Sequence, residues 1–183
     1  MPLKTNKLNM HLYLIGPRGC GKSRVGRLLA EALSVPFHDL DEIIRHEQGR
    51  SIAQIVLEDG WARFREMESK TLVRLAMELA PAVIATGGGV VLDEANCYIM
   101  RGSGRAVYLE APLAVLVERL KAVPDADHRP ALTDLPLAQE IGQILRERQH
   151  LYKAAATAAV DASLPENEVM AAVLRVIAKD NNS

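Results

Sequence analysis

The chain has 183 residues, 49% of them hydrophobic and 25% charged, the balance of a globular protein long enough to bury one substantial core. A net charge of −1 excludes a general affinity for nucleic acid or for an anionic membrane surface. No apolar run is long enough to span a bilayer, residues 1–10 lack the apolar stretch of a secretory signal, and two cysteines do not make a disulfide framework, so a reducing cytoplasm is the expected compartment.

The first element is a short buried strand over residues 11–15. It runs into Gly16-Pro17-Arg18-Gly19-Cys20-Gly21-Lys22-Ser23, which fits the phosphate-binding pattern G-x-x-x-x-G-K-[ST]. Val25, Leu28, Leu29, Ala32 and Leu33 then recur at helical spacing. Strand, glycine turn and helix start are what such a loop needs. Gly19, Cys20 and Gly21 offer backbone N–H groups to phosphate oxygens, and the helix N-terminus adds partial positive charge. Lys22 is expected on the β- and γ-phosphates and the Ser23 hydroxyl on Mg²⁺.

A short strand is expected at residues 36–39. Short helices follow over 41–60, broken at Gly49 and Gly60 and capped at Ser51, and a longer helix over 61–80 ends before Pro81. Residues 82–85 read as the third strand. A helix over 93–101 closes at Gly102, the fourth strand spans 105–109, and Pro112 opens a helix over 112–121. Residues 122–135 carry Pro124 and Pro130 and read as a loop, of a length that often makes a lid. A helix over 136–154, a fifth strand over 158–161 and a helix over 165–179 complete the chain. Five strands alternating with helices predict an α/β fold, a parallel sheet covered on both faces with its ligands beyond the carboxyl ends of the strands.

The other candidate chemistry lies at those strand ends. Asp39 and Asp41 follow the second strand; they read either as a metal-holding and a hydroxyl-orienting carboxylate or as two helix-start acids favoured by the dipole. Gly87, Gly88 and Gly89 follow the third strand and read either as close approach of a ligand to main-chain N–H groups or as a tight turn needing positive φ. Arg65 and Glu68 read as a carboxylate grip held in place by an acid, or as a surface i,i+3 pair. Arg129 in the proline-rich loop reads as a cation for the phosphates or as a solvated loop residue, and Arg119 as a base-stacking side chain or a helix C-terminal cation. Arg148 and Arg146 share a helix, and spacing does not decide which faces the site.

Taken together, GPRGCGKS, DLD, FREMES, ATGGGV, HRPAL and ERQHLY resemble the shikimate kinases, in the nucleoside monophosphate kinase-like P-loop fold. The P-loop wording and long lid resemble the second of the family's two bacterial types. The resemblance implies one domain over residues 1–183, a three-layer α/β/α kinase with a helical substrate-binding region at about 39–68 and a lid at about 122–135. It implies MgATP-dependent phosphorylation of the 3-hydroxyl of shikimate, toward chorismate and the aromatic amino acids, by a monomer. By matching position, Asp41 resembles the aspartate that binds the shikimate hydroxyls and acts as base, and Asp39 the aspartate near Mg²⁺. Arg65 and Arg148 resemble the arginines on the substrate carboxylate, and Gly87, Gly88 and Gly89 the glycines beside its ring. Arg129 resembles the lid arginine and Arg119 the arginine on adenine. A gluconate or nucleoside monophosphate kinase, or a silent nucleotide-binding paralogue, are the rival readings; the Asp39/Asp41, Arg65 and triple-glycine set argues against the first and the filled catalytic positions against the second. Cys20, at a helix N-terminus where thiol pKa values fall, is expected to react with alkylating agents unless ATP protects it.

Overall fold

The computed structural model describes residues 8–78, 80–122 and 135–180, with side chains through residue 178. Strand β1 (His11–Ile15) is buried along its whole length, and its near-continuous apolar sequence suits the centre of a sheet covered on both sides. Helix α1 (Lys22–Leu33) follows and turns Val25, Leu29 and Ala30 inward. Strand β2 (Phe37–Asp39) leads into α2 (Leu40–Gln48), and α3 (Ile52–Ala76) starts from a capping box in which Ser51 and Gln54 satisfy each other's backbone N–H. The expected break at Gly60 is present as a kink with φ of 82°.

Strand β3 (Val83–Ala85), a 3₁₀ turn at Val90–Leu92, α4 (Glu94–Ser103), β4 (Gly104–Glu110), α5 (Leu113–Ala122), α6 (Leu137–Ala155), β5 (Ala158–Asp161) and α7 (Glu166–Asp180) complete the described chain. Of the loop expected at 122–135, residues 123–134, with His128 and Arg129, lie outside the described residues.

Two helix ends differ from the sequence reading. Helix α3 stops at Ala76 rather than near residue 80, because Met77 and Glu78 are exposed and have no apolar face to bury. Helix α4 runs through Gly102 and closes at Gly104, held by the Ser103 hydroxyl, which donates to Ile99 O at 2.8 Å and accepts from the Tyr13 hydroxyl at 2.7 Å.

All five strands are parallel, in the order β2-β3-β1-β4-β5. Leu12, Leu14 and Val107 join one core with Leu29, Leu116, Ile144 and Val173; Tyr13, Ile15 and Tyr108 join another with Leu72, Met100 and Tyr152. Alternate residues of one strand thus feed opposite faces. Each fully buried leucine or isoleucine contributes roughly 1.5–3 kcal/mol. A third cluster, Ile44, Ile52, Ile55 and Phe64, ties α2 to α3 beyond the sheet edge.

The strand order does the positioning. Because β3 lies between β2 and β1, the chain segments leaving all three strands emerge side by side. Thr86 makes the seam: its N–H and its hydroxyl both donate to Leu14 O, at 3.2 and 3.0 Å. Asp39, the triple glycine and the phosphate loop, far apart in the chain, are neighbours for this reason.

Candidate active site

Two clefts open at the carboxyl ends of the strands. The larger has a cavity volume of about 420 Å³ and is floored by Gly19, Cys20, Gly21, Lys22 and Ser23. Gly19 and Gly21 have φ of 83° and 96°, a conformation that leaves the turn to glycine. The Lys22 ammonium is buried and donates to Gly16 O at 2.8 Å and Pro17 O at 2.9 Å, which fixes it at the loop's mouth. Arg119 lines the same cleft at the end of α5, with Leu120 and Leu164. Arg119 thus shares one cleft with the phosphate loop.

Asp39 is the helix-start acid that one reading of its sequence position allowed. It is the N-cap of α2, with Oδ1 accepting from Asp41 N at 3.0 Å and Glu42 N at 3.3 Å. Its other oxygen, Oδ2, accepts from the Ser23 hydroxyl at 2.5 Å. The cap therefore holds the carboxylate rigidly while one oxygen is aimed at the phosphate loop. Hydroxyl and carboxylate oxygens of this kind suit Mg²⁺, which takes one or two protein oxygens and completes its shell with phosphate and water. Among the described residues no group of three or more His, Cys, Asp and Glu is arranged to hold a metal ion without such help.

The smaller cleft has a cavity volume of about 70 Å³ and meets the larger one at Arg18, Asp41 and Ile52, which line both. Asp41, in the first turn of α2, is 7% exposed and thus stands at the junction. Trp61, Arg65, Glu68, Glu140, Arg148 and the three glycines complete the smaller cleft.

The glycines are not the positive-φ turn that one reading of the sequence expected. None has positive φ. A Cβ on Gly87 would lie 2.0 Å from Glu68 Oε1, and a Cβ on Gly89 would lie 2.2 Å from the Arg65 guanidinium carbon. The space belongs to the protein's own Glu68 and Arg65. Gly88 differs: the nearest atoms to its Cβ are at 3.6 Å, ordinary contact. Gly87→Ala and Gly89→Ala are therefore expected to displace these side chains at a cost of about 1–3 kcal/mol, lowering the melting temperature and weakening substrate binding, while Gly88→Ala stays near wild type. Thermal unfolding of the three variants checks this, and equal melting points would contradict it.

The Arg65–Glu68 pair is not a surface pair. Glu68 is fully buried, and its Oε2 accepts from Arg65 Nη1 at 2.5 Å. The Arg65 guanidinium also sits over the rings of Trp61 and Phe64, 5.4 and 5.3 Å from their centroids, so it is held on three sides. On α6, Arg148 lines the cleft and donates from Nη1 to Gly88 O at 3.2 Å, while Arg146 is exposed; the helix phase settles what spacing left open. The Tyr152 hydroxyl donates to the same carbonyl at 2.5 Å, and burial pushes its pKa upward, so it keeps its proton as donor.

Cys20 corrects its expectation. The thiol is 1% exposed and packs in the core with Val25, Leu109 and Leu116, so the folded protein shields it from alkylating agents. Sequence reasoning missed Arg18, Ile52 and Glu140. Glu140 carried a signal, since it lies eight residues before Arg148 on one helix, two turns apart on the same face.

A phosphate loop at the end of the central strand, an aspartate at the junction of a large and a small cleft, and two arginines in the small one define a P-loop kinase for a small acceptor. The family model described as shikimate kinase matches residues 18–178. The chain is 42% identical over 168 residues to Shikimate kinase 2 of Sodalis glossinidius, covering 92% of this chain and 95% of that protein. It is 44% identical over 166 residues to Shikimate kinase 2 of an Enterobacter species, covering 91% and 94%. The shikimate kinase of Acinetobacter baumannii, solved in complex with shikimate, superposes with a TM-score of 0.87 at 30% identity, covering 93% of this chain and 94% of that one. That of Aquifex aeolicus superposes at 0.80 and 36% identity, covering 94% and 98%. This chain belongs to the shikimate kinase family. A gluconokinase of Sinorhizobium meliloti, at 20% identity and a TM-score of 0.60, shares the fold alone.

Proposed function

We propose that the chain transfers the γ-phosphoryl group of ATP to the 3-hydroxyl of shikimate, on the route to chorismate and the aromatic amino acids, and that the two clefts divide the work. Family membership supports the reaction. The observation that carries the division is the position of Asp41, which lines both clefts and so stands where a hydroxyl from the small one meets a phosphate from the large one.

In this reading Gly19, Cys20, Gly21, Lys22 and Ser23 cradle the phosphates, and Arg119 packs on the adenine. Asp41 orients the acceptor hydroxyl and takes its proton at a carboxylate oxygen. Arg65 and Arg148 grip the substrate carboxylate, a task that suits a planar guanidinium fixed by Glu68, Trp61 and Phe64. Gly87, Gly88 and Gly89 form the wall beside the ring. Lys22 and Arg129, the latter carried over from the family pattern, stabilise charge on the phosphoryl group in transit. Ser23 and Asp39 are the residues that would hold Mg²⁺. The metal, when bound, neutralises phosphate charge.

The whole chain is read as one domain, with the substrate region at about 39–68, acting as a cytoplasmic monomer. Among the described residues no helix is long and apolar enough to cross a membrane.

The direct test is ADP release from MgATP with shikimate, gluconate or nucleoside monophosphates as acceptor. Release is expected with shikimate alone. Equal release with gluconate, or none with shikimate, overturns the assignment.

A further inference from the structure

Glu68 is the most unusual group in the small cleft. It is fully buried, one oxygen is satisfied by Arg65, and the other, Oε1, has no hydrogen-bond partner. Buried carboxyl oxygens are normally paired, because leaving one unpaired costs the desolvation of that atom. Oε1 is pressed against the Gly87 backbone, and the point where a Gly87 Cβ would sit is 3.3 Å from Asp41 Oδ1. Two carboxyl groups therefore converge on one small cleft, and Glu140, 2% exposed, lines it as a third acid.

We propose that Glu68 takes up a proton at Oε1 when the carboxylate-bearing substrate binds, so that substrate binding is linked to proton uptake from solvent. This deepens the shikimate reading and rests on it.

The reason is charge. The groups facing Glu68 are Arg65 on its own helix, Asp41 from α2 and Arg148 from α6. Burial pushes the Glu68 carboxyl above the usual range; the Arg65 charge pulls it down, Asp41 pushes it further up, and Arg148 opposes Asp41 weakly. The two downward influences are the guanidiniums that a bound carboxylate would share. Bringing that anion onto Arg65 and Arg148 adds a like charge beside Glu68 and divides the attraction of its partners, and both effects raise its affinity for a proton. The proton moves from solvent to Oε1, forming one O–H bond and leaving the carboxyl neutral.

The sign follows from linkage. Substrate-bound Glu68 has a higher pKa than free Glu68. Affinity is therefore highest below the free value, falls by up to about tenfold per pH unit between the two values, and levels off above both.

The experiment is calorimetry of shikimate binding to the full chain in buffers of different protonation enthalpy, at pH values from the ordinary carboxylate pKa to neutrality. The binding heat is expected to depend on the buffer, giving uptake of up to one proton. In Glu68→Gln, which keeps an acceptor for Arg65, the uptake is expected to vanish. A second measurement on the wild type needs no variant: infrared difference spectra are expected to gain the carbonyl stretch of a protonated carboxylic acid on adding shikimate. Buffer-independent heat at every pH, undiminished uptake in Glu68→Gln, or no such band overturns the proposal. The absence of any binding heat overturns instead the substrate reading beneath it.

Discussion

Asp41→Asn is expected to lower kcat by about 10²- to 10⁴-fold while leaving nucleotide affinity within about threefold of wild type. The substitution keeps the shape of a side chain that is 7% exposed and leaves its backbone N–H on Asp39 Oδ1, so the α2 start survives. It removes what is, among the described residues, the one carboxylate that lines both clefts. An amide at this position still orients a hydroxyl but does not take its proton. Steady-state kinetics and nucleotide titration separate the outcomes. A rise in KM for shikimate with kcat intact would reduce Asp41 to an orienting group, and near-normal turnover would remove it from the chemistry.

Arg65→Ala carries the next largest effect, an expected loss of shikimate affinity on the order of 2–4 kcal/mol, roughly 30- to 900-fold in Kd. A second consequence comes from Glu68. Removing the guanidinium leaves a buried carboxyl without its partner at Oε2, so stability is also expected to fall, by about 1–3 kcal/mol. Adding Glu68→Gln to the Arg65→Ala background is expected to return part of that stability without returning affinity. Thermal unfolding and shikimate titration of the three variants check the split. An unchanged Kd in Arg65→Ala would remove Arg65 from the substrate site, and full recovery of binding in the double variant would show that the loss came from the stranded acid.

What could be read before folding was local. The phosphate loop needs only eight consecutive residues and its two flanks, and the five strands stand out because their apolar runs are broken by helical patterns. Asp39 and Asp41 were legible as a pair with two alternative readings, but the anchoring of Asp39 was not, because it depends on the N-cap geometry that turns one Asp39 oxygen to the helix and the other to Ser23. The triple glycine was legible as a place of close approach, but the approach of Glu68 and Arg65 to it was not. Glu68 and Arg65 lie about twenty residues upstream, and only the folding of α3 against the β3 exit brings them there. Arg148 and Arg146 differ by the phase of α6, which shows in its packing against α5, the 3₁₀ turn and β4 rather than in the spacing of the two arginines. Cys20 was judged by its place at a helix start, whereas its side chain turns into the core under α5.

The partition at Asp41 has a thermodynamic consequence. Arg18, Asp41 and Ile52 belong to both clefts, so an occupant of one that shifts any of these side chains alters the free energy of the other. Such coupling is reciprocal: whatever factor nucleotide imposes on acceptor affinity, acceptor imposes on nucleotide affinity. The two clefts meet at these shared residues, which makes them candidates for a single tethered compound. A short linker between an acceptor mimic and a phosphate mimic turns the second binding event into an intramolecular one at millimolar effective concentration, provided it passes Asp41 without displacing it.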